Sequence, residues 1–188
     1  MRLRLRNEGQ MSSPFELLVA IIIMSFVVII GSQMLAASQE QVCLSSVGKE
    51  ITEFKLMLED TAIRRGSNKF EFRPDDCFNQ NTAIIKIEKY NSTTQCGAKC
   101  GLPTESCFVL IFNAPDVANG FIQKCLNLPV YTTFVNEPND CPTDDLDGYV
   151  AIDPTIMDEG GIRPGSYVLQ NVAPAAKTYP NICVFRKA

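Results

Sequence analysis

Arg2-Leu3-Arg4-Leu5-Arg6-Asn7-Glu8-Gly9-Gln10-Met11-Ser12-Ser13-Pro14-Phe15-Glu16, followed by the apolar run Leu17-Leu18-Val19-Ala20-Ile21-Ile22-Ile23-Met24-Ser25-Phe26-Val27-Val28-Ile29-Ile30, governs the reading of this 188-residue chain. The 23 residues from Phe15 to Ala37 would extend roughly 34 Å as a helix at about 1.5 Å per residue. That length matches a hydrocarbon core of about 30 Å with some tilt. Arg2, Arg4 and Arg6 precede the run, and the first basic residue after it is Lys49. This asymmetry predicts a cytoplasmic N-terminus and an extracytoplasmic C-terminal domain. A secretory signal peptide ending near Ala36-Ala37-Ser38 is the competing reading. Its apolar region is shorter, ~7–15 residues, and a helix need not continue past its cleavage site.

Here the helical pattern does continue. Cys43, Val47, Ile51, Phe54 and Leu58 recur at spacings of four, four, three and four, which traces one face of an α-helix. Glu40, Lys49, Glu50, Glu53, Lys55, Glu59 and Asp60 form the polar back, and Arg64-Arg65-Gly66 reads as a stop. One helix is therefore expected from about Phe15 to Arg65, with residues 10–37 a hydrophobic transmembrane or assembly helix and residues 38–65 its amphipathic continuation. Ser25, Gly31, Ser32, Ala36 and Ala37 are small enough to let such helices approach one another closely.

The basic tip, the Gly9-Gln10 step, the serines after it, and Glu16 at the mouth of the apolar helix together resemble a type IV pilin-like protein. The likeness is closer to the archaeal forms than to the bacterial. It covers about a fifth of the chain. The resemblance implies that residues 1–9 are a leader removed by a prepilin peptidase, which cuts between Gly9 and Gln10. It further implies that the freed helix assembles with identical or related subunits, Glu16 pairing with the new α-amine of a neighbour. Glu16 is the seventh residue after that bond, two later than is usual in the family. A carboxylate near lipid is expensive and is ordinarily paired; the alternative is that Glu16 lies at the cytoplasmic interface and reaches water.

Residues 66–188 follow a different pattern. Candidate strands are Ala83–Tyr90, Cys107–Phe112, Val130–Val135, Tyr149–Ile152, Ser166–Leu169 and Ile182–Phe185, separated by Arg73-Pro74-Asp75-Asp76, Asn113-Ala114-Pro115-Asp116, Asp158-Glu159-Gly160-Gly161 and Arg163-Pro164-Gly165. Phe121–Leu126 fits either a short helix or a strand. The expected fold class is α+β: a long N-terminal helix packed on a mostly antiparallel, disulfide-stapled β domain.

Eight cysteines, Cys43, Cys77, Cys96, Cys100, Cys107, Cys125, Cys141 and Cys183, are expected to form disulfides in an oxidising compartment, with the pairing left open. A metal site from Cys96, Cys100 and Cys107 is the alternative. It lacks histidine and a Cys-x2-Cys knuckle, so neither a metal nor a cofactor is expected. The absence of histidine also removes the usual general base, and no Cys-x-x-Cys or Gly-rich phosphate loop occurs. The chain does not read as an enzyme.

Without Arg2, Arg4, Arg6 and Glu8 the chain holds 14 basic and 20 acidic residues, a net of −6. Its basic residues after Ser67 form no Lys/Arg patch, so a nucleic-acid partner is not expected. Asp140, Asp144, Asp145 and Asp147 before Gly148 resemble a fragment of a calcium loop but lack its distal ligand, which favours an acidic turn. Asn91-Ser92-Thr93 is a glycosylation sequon. The function these features imply is that of a structural subunit of a surface filament. The alternatives are an uncleaved, single-span protein carrying a ligand-binding or adhesive domain, and a secreted domain freed near Ala37.

Overall fold

A computed structural model describes residues 13–64, 66–74, 78, 82–115, 120–135, 140–141, 146–155, 161–173 and 179–188 of the chain. The fold is α+β, with an N-terminal apolar helix, antiparallel sheets and disulfides. The elements are α1 (Ser13–Arg64), β1 (Ser67–Phe72), β2 (Ile84–Tyr90), α2 (Thr93–Cys100), β3 (Cys107–Asn113), β4 (Phe121–Leu126), β5 (Thr133–Val135), β6 (Tyr149–Ile152), β7 (Gly165–Asn171) and β8 (Asn181–Lys187). The chain divides into two units, Met1–Val42 and Cys43–Ala188, with the boundary inside α1.

α1 is uninterrupted for local reasons. Pro14 lies in its first turn, where a missing N–H has no intrahelical acceptor to lose, and the next proline is Pro74. Gly48 in the interior is not needed for close packing, because a Cβ there would meet Ile122 Cδ1 only at 4.0 Å.

The second unit contains two sheets where a single one was expected. The first has the order β1-β7-β8-β5, with β6 also on β8; the second has the order β2-β3-β4. Every pairing is antiparallel except that of β5 with β8. β8 is bordered by β7 on one edge, while β5 and β6 pair with its first and second halves. Val47, Ile51, Phe54, Leu58 and Ala62 of α1 share one buried cluster with Phe70 and Phe72 of β1, Ile85 and Ile87 of β2, Phe108, Leu110 and Phe112 of β3, and Leu169 and Val184 of the larger sheet. Phe54 and Phe70 lie with ring centroids 4.7 Å apart. Alternation along the strands sends Val168, Cys183 and Phe185 to the opposite face of the larger sheet, into a smaller cluster with Cys141.

The C-terminus of α1 is capped from a distant strand. The last carbonyls of any helix lack intrahelical donors. The Asn171 side-chain Nδ2, on β7, donates to the carbonyls of Thr61 (3.4 Å) and Ala62 (3.2 Å). The Thr61 hydroxyl donates to the Met57 carbonyl at 2.8 Å and accepts from Asn68 Nδ2 at 2.9 Å. The buried Thr61 and Asn171 side chains are thereby satisfied.

The sheets are joined at one more point. Ile85 of β2 exchanges backbone hydrogen bonds with Ile162 at 2.9 and 2.8 Å, and the Ile87 N–H donates to the Pro154 carbonyl at 3.0 Å. Pro154, just after β6, and Ile162, just before β7, thus lie along the edge of β2 that β3 leaves free. Gly161 makes this approach possible, since a Cβ on it would lie 2.1 Å from Ile84 Cγ2.

Candidate functional site: an exposed apolar helix and a stapled domain

Within the first unit, Pro14–Leu35 is a 22-residue stretch long and apolar enough to cross a membrane or to serve as a signal sequence, and none of it is buried. Phe15, Met24 and Val28 are 70%, 71% and 68% exposed. The span leaves no hydroxyl unpaired, because Ser25 donates to the Ile21 carbonyl and Ser32 to the Ile29 carbonyl, both at 2.8 Å. In lipid such internal satisfaction removes the cost of an orphan polar group. Glu16 is exposed in the first turn of α1, where the partial positive charge of a helix N-terminus favours a carboxylate. It forms no ion pair with a described residue. Gly9 and Gln10, the expected cleavage site, lie outside the described residues.

The second unit carries the disulfides. Cys96 bonds Cys107, Cys100 bonds Cys125 and Cys141 bonds Cys183. Cys43 is also disulfide-bonded, and Cys77 lies outside the described residues. The two bridges of α2 have a simple geometric basis. Cys107, Val109 and Ile111 alternate onto the face of β3 turned away from the main cluster, and Cys125 of β4 sits opposite Val109. Cys96 and Cys100 are one helical turn apart, so a single short helix reaches both strands. The Gln123 side chain adds a bond to the Lys99 carbonyl at 3.0 Å. With Cys96, Cys100 and Cys107 all in disulfides, none is left as the thiolate a metal site requires.

Asn91 is exposed between β2 and α2. In the acidic turn, Asp140 and Asp147 are described, and Gly148 takes a left-handed φ of 76°. Asp144 and Asp145 lie outside the described residues, and no group of three metal-binding side chains occurs among the described ones. Two tyrosines have raised pKa values. Tyr90 donates to the Glu88 carboxylate; that bond, then burial and the Glu88 charge, hold its phenol above the ordinary range. Tyr167 donates to the Arg163 carbonyl, and burial raises it against the opposing charges of Arg186 and Arg163.

Two arrangements were not evident from sequence. Asn171 reads as an ordinary polar residue at the end of a strand, with nothing to mark it as a helix cap 109 residues away from Ala62. Tyr131 and Tyr179 form an exposed aromatic pair with centroids 4.7 Å apart, brought together only because Thr133 and Asn181 are register partners.

No family model matches the chain, and neither a curated protein nor a solved structure matches it.

Proposed function

We propose that this chain is a structural subunit of a type IV pilus-like surface filament, cleaved between Gly9 and Gln10 by a prepilin peptidase and assembled through α1. The observation that carries the reading is the contrast within one helix. From Val47 onward α1 buries a face in a core, whereas Pro14–Leu35 buries nothing. That span needs lipid or other apolar helices, and removal of the charged tip would let it leave one for the other. The three arginines before it support a cytoplasmic N-terminus, and the disulfides support an oxidising compartment for the second unit. Glu16, close to the new amine, is the group that would set the register between neighbouring subunits.

The test is the N-terminal sequence of the protein recovered from its native membrane and from sheared surface material. A start at Gln10 with chain in the sheared fraction is the expected result. A start at Met1 with all the chain in the membrane would leave an anchored surface protein. A start near Ser38 would make the apolar span a signal sequence.

A further inference from the structure

We infer that Asn91 is the acceptor of an N-linked glycan. Asn91-Ser92-Thr93 is the sole Asn-x-Ser/Thr triplet in the chain with x other than proline, and an acceptor of this type must be presented at a surface. The structure supplies that presentation. Asn91 follows the last residue of β2, and Thr93 is the first residue of α2. Both are exposed, as are Thr94 and Gln95 after them. Ser92 between them is extended, with φ −150° and ψ 129°, and its side chain makes no capping bond. In extended backbone, residues two apart share a side, so the Asn91 carboxamide and the Thr93 hydroxyl are offered together. Neither side chain has a hydrogen-bond partner among the described residues, so a transferase has no internal bond to break.

The support beneath the sequon is firm. The Cys96 N–H donates to the Ser92 carbonyl at 2.9 Å, and the Cys96 Sγ contacts the Tyr90 carbonyl at 3.7 Å. Cys96 is buried and bonded to Cys107. The acceptor is therefore an outward corner on a disulfide-held frame.

The chemistry requires a polyprenyl-phosphate- or polyprenyl-pyrophosphate-linked oligosaccharide as donor. Asn91 Nδ2 forms a bond to the anomeric carbon and gives one proton to a base of the transferase, while the bond from that carbon to the phosphate oxygen breaks and the lipid phosphate leaves with its electron pair. The inference rests on the proposed extracytoplasmic placement of the second unit, where such donors are used and disulfides form.

The experiment is peptide mass mapping of the full chain purified from its native cells, with free thiols alkylated before reduction. We expect the Asn91 peptide to carry added mass made of whole sugar residues. Asn91→Gln and Thr93→Ala should each abolish it, and Thr93→Ser should retain it, while the Cys96–Cys107 bridge stays intact in all three as the check on folding. A bare Asn91 in oxidised wild-type protein overturns the inference and leaves the placement standing. A bare Asn91 together with alkylated cysteines overturns both. Added mass that survives Asn91→Gln overturns the assignment to this residue.

Discussion

Asn171 shows how one side chain ties distant parts of the second unit together. It is nearly buried, and its carboxamide supplies donors to two carbonyls at the end of α1. Asn171→Ala leaves them without that donor, and a buried polar group so orphaned costs about 1–3 kcal/mol. The denaturant midpoint should fall accordingly, with little change in the slope of the transition. Gly161→Ala acts by a different route. Its new methyl would overlap Ile84 Cγ2, and relieving such crowding ordinarily costs about 1–3 kcal/mol. Faster amide exchange at Ile85 and Ile162 is the local signature to look for. Tyr167 gives a pH dependence. Burial raises its phenol above the ordinary value of 10.0, so the folded state favours the protonated ring. The stabilisation is complete below pH 10 and is lost as pH rises through the folded-state value. Thermal denaturation from pH 9 upward should show a decline that is shallower in Tyr167→Phe.

At the scale of elements, the helix and most strands follow from patterns in the chain. The four-four-three-four spacing marks the buried face of α1, and β2, β3, β6, β7 and β8 all contain the apolar runs that predicted strands there. Phe121–Leu126, ambiguous by periodicity, is a strand because it pairs along its whole length with β3. β1 escapes detection since Ser67-Asn68-Lys69-Phe70-Glu71-Phe72 has two apolar residues on one side, and Lys69 and Glu71 read as loop. α2 escapes it for the opposite reason: Thr-Thr-Gln-Cys-Gly-Ala-Lys-Cys has poor helix propensity, and its position is set by two bridges whose partners are distant in sequence. The run from Val130 yields only the short β5, because Thr132 turns back on the Pro129 carbonyl through both its N–H and its hydroxyl. Removing the α2 bridges should therefore be felt at α2 before it is felt at the sheets. Cys100→Ser with Cys125→Ser should lower stability by about 2–4 kcal/mol. Hydrogen exchange in that double variant should rise in Thr93–Cys100 while β2 and β3 stay protected.

For the whole molecule, each unit is judged by what it buries. The second has a core of its own, to which the residues of α1 from Val47 onward contribute. The first contributes an apolar span with nothing over it. A chain beginning at Gln39 should consequently be soluble without detergent and unfold cooperatively, whereas the full chain should partition into detergent. Size-exclusion chromatography with and without detergent, alongside circular dichroism, checks both outcomes. The apolar span and the cysteine-rich domain were legible from composition alone. The split of that domain into two sheets was not, because it depends on β1 and on the crossing segment at Ile162, whose pairings span from 77 residues in one case to about a hundred in the other.

The place of β8 in the larger sheet has a consequence in time. It is the last strand in chain order, yet β5, β6 and β7 all depend on it for hydrogen bonds. A chain that emerges from its N-terminal side first cannot close this sheet until Asn181–Lys187 has appeared. Until then the edges of β5, β6 and β7 that pair with β8 stay open, while β2, β3 and β4 can already pair without it.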